Sequence, residues 1–199
     1  KDIVDLYAIR RVYPITGFNM LISAYFAGVN STHPLDINSF IYNYAQEKYG
    51  FNQQQSVMFW EALKTAPYEI TQGRVVESSA SIGQLLDSAK TATRILQGLK
   101  PSKNKKEFEH YILMAEIREQ YLTYQSLEIK ANSPTFKEEE IPGILKQLKA
   151  INTAKLDKKF LKLNKNTFHR AEIEQENKLR NSKINLFYQR LSRDKSNIN

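Results

Sequence analysis

Ser81-Ile82-Gly83-Gln84-Leu85-Leu86-Asp87-Ser88-Ala89-Lys90-Thr91-Ala92-Thr93-Arg94-Ile95-Leu96-Gln97-Gly98-Leu99 is the stretch that decides the fold class. Its apolar residues Ile82, Leu85, Leu86, Ala89, Ala92, Leu96 and Leu99 recur at steps of three and four, which places them on one face of an α-helix. Gly98 and Pro101 supply the stop signals. A strand does not fit, because a period of two would scatter the same residues over both faces of a sheet.

The same spacing extends outward from this helix. Toward the N-terminus, Asp36 is a helix cap, Phe40, Ile41, Tyr44 and Ala45 form a face, and Gly50 ends the element. A second helix is predicted over residues 52–66, with Met58, Phe59, Ala62 and Leu63 apolar and Pro67 as its limit. Toward the C-terminus, Ser102 caps a long helix running to Ala131, whose Tyr111, Ile112, Leu113, Met114, Ala115, Ile117, Tyr121 and Leu122 point in nearly every direction. A helix apolar all round is surrounded, which puts it at the centre of a bundle.

Asn132-Ser133-Pro134-Thr135 breaks the chain, and Glu138-Glu139-Glu140 before Pro142 opens another helix with the stripe Ile141, Ile144, Leu145, Leu148 and Ile151, continuing through Leu156, Phe160 and Leu163. A last helix covers residues 167–191, with an apolar face that weakens at Asn177 and Arg180. Before Asp36 the pattern is less regular. Val12 to Phe18 reads as a short extended piece, Met20 to Ala27 fits either a buried strand or a buried helical segment, and Gly28 to Pro34 is a loop. The fold class is therefore all-α: an antiparallel bundle of about five or six helices over residues 36–199, preceded by an irregular or extended N-terminal segment, residues 1–35.

Composition bounds the function. In 199 residues, 41% are hydrophobic and 25% charged, the balance of a globular protein. Seven glycines and six prolines are few for a turn-rich β sandwich or a glycine-cradled phosphate enzyme. No run approaches the roughly 20 apolar residues of a spanning helix, and the absence of cysteine excludes disulfides and thiolate metal sites. The net charge of +8 falls entirely in the second half: residues 1–99 hold 8 basic against 8 acidic residues, residues 100–199 hold 21 against 13. The chain opens at Lys1 with a segment lacking the features of a signal peptide, and is read as a fragment or processed portion of a larger parent.

The catalytic inventory is empty. Glu107 and His110, three residues apart on one helix face, match half of a carboxylate-bridged metal site, but the second such pair and two further helical carboxylates are missing, so an ordinary solvated pair and no metal or cofactor is expected. Lys100, Lys103, Lys105 and Lys106, and Lys155, Lys158, Lys159, Lys162 and Lys165, form basic runs. Lys dominates over Arg there, aromatic rings are not interleaved with most of them, and Glu107, Glu109 and Asp157 dilute the charge, which favours a solvated face over nucleic acid. Thirteen of the aromatic residues lie within residues 1–68. Phe40, Tyr44, Phe59 and Trp60 are expected in the core, whereas Tyr13, Tyr25 and Tyr42 are open to either reading, core or sugar-stacking surface.

Pro14-Ile15-Thr16-Gly17-Phe18-Asn19, Leu35-Asp36-Ile37-Asn38-Ser39-Phe40-Ile41, Tyr44-Ala45-Gln46-Glu47-Lys48-Tyr49-Gly50-Phe51 and Phe59-Trp60-Glu61-Ala62-Leu63 resemble the segment that leaves the catalytic barrel in family 20 glycoside hydrolases, the β-N-acetylhexosaminidase-like enzymes. The resemblance covers residues 12–66. It implies a C-terminal helical region whose partner is the catalytic barrel of its parent, which meets N-acetylhexosamine-containing glycans through that parent, and whose location is periplasmic or secreted. It also implies that residues 1–35 are the tail of the preceding barrel. The family's catalytic Asp-Glu pair has no counterpart, since no Asp-Glu dipeptide occurs, and the tryptophan of the last barrel strand is absent; no catalytic residue is carried over and the chain alone is expected to be inactive. The competing expectation is a helical protein–protein interaction module with a Lys-rich face.

Overall fold

The computed structural model describes residues 15–29, 31–64, 68–71, 74–77, 79–151 and 153–196. The fold is all-α apart from one hairpin. In chain order the elements are α1 (Ile15–Val29), α2 (Ile37–Tyr49), α3 (Gln53–Leu63), β1 (Tyr68–Thr71), β2 (Arg74–Glu77), α4 (Ile82–Gly98), α5 (Lys105–Ala131), a single 3-10 turn (Glu138–Glu140), α6 (Ile141–Ala150), α7 (Thr153–Asn164) and α8 (Arg170–Ser196). These divide into two compact units, Lys1–Ala66 with Thr91–Met114, and Pro67–Lys90 with Ala115–Asn199.

The first unit is organised by the corner between α2 and α3. Asp36 caps α2, its carboxylate accepting from the Asn38 N–H at 3.2 Å and the Ser39 hydroxyl at 2.5 Å. At the other end Gly50 adopts φ 69°, a left-handed conformation that lets its N–H bond to the Gln46 carbonyl at 2.9 Å and stops the helix. Asn52 then opens α3 with a reciprocal capping box with Gln55. The buried face of α2, Ile41, Ala45 and Tyr49, and that of α3, Ser56, Phe59 and Ala62, follow from helical spacing.

Around this corner the rings of Tyr49, Phe51, Phe59, Phe108 and Tyr111 interlock. Phe59 meets Tyr111 at 5.1 Å and 87°, and Phe51 meets Phe108 at 5.4 Å and 89°, the edge-to-face geometry that ring quadrupoles favour. The loop before α5 is tied to the same place: the N–H groups of Ser102 and Lys103 donate to the Tyr49 carbonyl at 3.0 and 3.2 Å, and Asn104 Nδ2 donates to the Lys48 carbonyl at 2.6 Å. Carbonyls left open at the end of α2 are thereby satisfied.

The second unit centres on α6 and α8. Tyr124, Leu127, Ile141, Ile144, Leu145, Leu148, Ile184, Phe187 and Leu191 form one apolar cluster, and the stripe read from the α6 sequence is its floor. Asp157 of α7 accepts from the Arg180 guanidinium and, at 3.0 and 2.9 Å, from Asn181 Nδ2 of α8. Arg180 also lies over the Phe160 ring at 5.1 Å. The polar interruption at Asn177 and Arg180 is thus a docking site for Asp157, with Asn177 Nδ2 donating to the Asp157 carbonyl at 3.4 Å.

Expectations are corrected at three helices, and one unassigned segment gains a structure. The N-terminal piece read as extended at Ile15 to Phe18 is the start of α1, and the ambiguous run from Met20 to Ala27 is helical; residues 1–14 lie outside the described residues. A fifteen-residue helix satisfies its own backbone over about 22 Å, whereas a strand there would need a neighbour to pair with. The single helix read through Ile141 to Leu163 is two, because Ile151 leaves the helical region at ψ 86° in the run Ile151-Asn152-Thr153, all poor helix formers. Tyr68–Thr71 and Arg74–Glu77, unassigned from sequence, pair as antiparallel strands with Tyr68 opposite Glu77 and Thr71 opposite Arg74. The long helix opens at Lys105, after Asn104 at φ 45°, and not at Ser102.

A Cβ on Gly50 would come within 2.0 Å of Ser102 Oγ, in addition to the cost of a left-handed backbone. Gly50→Ala is expected to lower the unfolding free energy by about 1–3 kcal/mol in urea melts, and an unchanged midpoint would contradict the role given to the corner. Asp157→Ala strands the mostly buried Arg180 side chain, 15% exposed, and is expected to lose about 1–3 kcal/mol; Lys158→Ala on the exposed side of α7 should lose almost nothing in the same assay.

Candidate functional site

Beside the core face of α2 lie Ser39, Phe40, Asn43, Tyr44, Glu47 and Lys48, again at steps of three and four, with the Tyr44 ring also meeting that of Tyr49 at 6.2 Å. Together with Ser23 and Ala27 of α1, Leu35 and Asp36 before α2, and Asn104 before α5, they line a cavity of about 620 Å³ in the first unit. That volume lies within the range of small-ligand sites, about 300–1,000 Å³. Its aromatic element is the Phe40 and Tyr44 pair, stacked with centroids 6.0 Å apart and planes 29° from parallel. Carboxylate, hydroxyl, carboxamide and ammonium groups surround these rings.

Behind the cavity stands a group of partly buried titratable side chains. Glu107 pairs with Lys48 at 3.2 Å and accepts from the Tyr49 hydroxyl at 3.4 Å. Burial, reinforced by the negative charge of Glu107, pushes the phenols of Tyr44, Tyr49 and Tyr111 above their ordinary range. They stay protonated at neutral pH, and the Tyr49 hydroxyl donates to Glu107. Burial also pushes His110 below its ordinary value, an effect that Glu107 opposes and Lys106 reinforces. The arrangement is suited to holding a ligand by hydrogen bonds and ring contact.

His110 has a consequence for stability. In the unfolded chain it takes up a proton as pH falls through its ordinary value of 6.5, whereas the folded chain resists protonation until lower pH. The contribution of the neutral imidazole is complete above that value and declines as acid is added. His110→Gln is expected to lose less stability than the unaltered chain between neutral pH and about pH 5, measured by urea unfolding at both; equal losses would contradict the assignment.

The residues singled out from sequence are distributed as follows. Glu107 and His110 share the α5 face as spaced, but the Glu107 carboxylate is engaged by Lys48 and Tyr49. Among the described residues no group of three or more His, Asp or Glu is placed to hold a metal ion. Phe59 is buried and Phe40, Tyr44 and Trp60 are half-buried, with the Trp60 indole donating to Asn38 Oδ1 at 2.7 Å. Tyr25 lies exposed on α1, Tyr42 is half-buried, and Tyr13 is outside the described residues.

The two lysine runs belong to different units. Lys103 Nζ reaches the Glu47 carbonyl at 3.5 Å, and Lys159 pairs with Glu116 at 2.8 Å. Sequence reading placed Phe40 and Tyr44 on the apolar face of α2 and missed the polar members of the lining, Ser39, Asn43, Glu47 and Lys48, because apolar spacing selects the core face. Comparison with protein-family models, curated proteins and solved structures finds no match to this chain.

Proposed function

We propose that this chain is a non-catalytic helical domain of a glycoside hydrolase acting on N-acetylhexosamine-containing glycans, packed in its parent against the catalytic barrel. The observation that carries the reading is the uncovered apolar side of the first unit: Tyr25, Phe26 and Val29, 40, 50 and 63% exposed, occupy neighbouring positions on α1, and Ile37 is 58% exposed at the start of α2. Exposed apolar residues grouped in this way mark a surface that a partner covers. The residues that carry the family resemblance give further support. Asp36, Asn38, Tyr49, Gly50, Phe59 and Trp60 are the caps, ring contacts and indole hydrogen bond of the α2–α3 corner, so the short motif corresponds to a folding unit. The reading includes a periplasmic or secreted location for the parent.

The test is expression of the encoding gene from its own start. The expected product is longer, cleaves chromogenic N-acetylhexosaminides, and loses thermal stability when Phe26 and Val29 are both replaced by Ser, while the 199-residue chain alone is inactive. A product without a barrel, or one without activity on these substrates, would contradict the proposal.

One observation favours a second reading, a helical interaction module with a basic face. Lys155, Lys158 and Lys162 on α7 and Lys165 just beyond it are exposed at steps of three and four, a stripe of one sign on the second unit. Such a stripe attracts an acidic protein surface, and binding that collapses with added salt would favour it. No helix among the described residues is long and apolar enough to cross a membrane.

A further inference from the structure

We propose that the cavity along α2 is a binding groove for a linear, neutral oligosaccharide. This rests on the glycoside hydrolase reading only for the choice of N-acetylated sugar as the probe. The lining runs from Asp36 to Lys48, about 18 Å along the helix axis, a length that suits several pyranose rings in line. Phe40 and Tyr44 present ring surface midway, and a sugar offers the C–H faces that pack on such rings while its rim hydroxyls need donors and acceptors.

Those partners are present. Asn43 and Glu47, one helical turn apart, have side chains with no hydrogen-bond partner among the described residues, and both are exposed to the groove. Asn104 donates its amide to the Lys48 carbonyl and keeps its own side-chain oxygen as an acceptor. Asp36 holds Ser39 and the Asn38 N–H, which fixes the carboxylate at the groove's end.

Charge and spacing exclude other ligand classes. Asp36 and Glu47 face the groove against one ammonium, Lys48, which is already paired with Glu107, so the lining repels phosphates and other anions. The two carboxylates stand eleven residues apart on one helix, about 16 Å, too far to share a metal ion. The walls come from α1, α2 and the segments before α2 and α5, and offer no free strand edge to an extended peptide.

The experiment is nitrogen-15 NMR of the full 199-residue chain titrated with triacetylchitotriose, with inorganic phosphate as a second probe. Saturable shifts are expected in residues 35–48 and at Asn104, and Asn43→Ala and Glu47→Ala, both exposed and outside the core, are each expected to weaken binding about three- to tenfold, the loss of one hydrogen bond. No saturable shift with chitotriose, shifts confined to other residues, variants that both bind as tightly as the unaltered chain, or saturable phosphate binding in the groove would each overturn the proposal. The outcome is independent of the parent enzyme. Chitotriose binding by a chain whose gene encodes no barrel keeps the groove and removes the hydrolase, and a silent groove in a confirmed hydrolase does the reverse.

Discussion

The Tyr49 carbonyl is the constraint on which the first unit depends. At the end of α2 it has no helical donor, and it sits on a residue whose ring is fully buried. Two N–H groups from the loop before α5 fill it, and they reach it because Gly50 turns the chain away in a left-handed conformation with no Cβ in the path of Ser102. A backbone requirement and an apolar requirement thus meet at two adjacent residues. Moving either would leave buried polar groups unpaired or separate the rings of Tyr49, Phe59, Phe108 and Tyr111.

That corner also determines what α2 offers to a ligand. With Ile41, Ala45 and Tyr49 committed to the core, the helix has one rotation available, and it presents Asn43, Glu47 and the Phe40–Tyr44 pair to the cavity. Asn104 and Lys48, which hold the loop and the Glu107 carboxylate, close the same cavity at its far end. The packing that stabilises the unit and the surface proposed to bind sugar are two sides of one helix. Likewise, burial pushes the tyrosine phenols behind it up and the His110 imidazole down, both away from their charged forms.

Much of the fold was legible in the sequence. The helices from Asp36 to Gly50, from Ile82 to Gly98 and from Ile141 to Leu148 follow from apolar spacing, and their ends from Asp36, Gly50 and Gly98 acting as caps and stops. Three features were not read. The run from Met20 to Ala27 is apolar without a period and left strand and helix undecided. The paired strands Tyr68–Thr71 and Arg74–Glu77 have four residues each, short beside the helices around them, and too short for an alternating pattern to stand out. The break at Ile151 interrupts a stripe that continues in register on both sides, so periodicity alone runs straight through it. The polar interruption of α8 became intelligible only once Asp157 was seen to dock there, since a partner twenty or more residues away leaves no local mark. The candidate groove was invisible for a related reason: Ser39, Asn43, Glu47 and Lys48 read as the ordinary polar face of an amphipathic helix until α1 and Asn104 are placed beside them.

Native-state hydrogen exchange at the corner tests the central claim most directly. If the Tyr49 carbonyl holds the first unit together, the amides of Gly50, Ser102 and Lys103 exchange as slowly as those in the middle of α2 and share their dependence on denaturant, because they open only when the unit unfolds. Amides of Ser102 and Lys103 that exchange by local fraying, with no denaturant dependence while α2 stays protected, would contradict it.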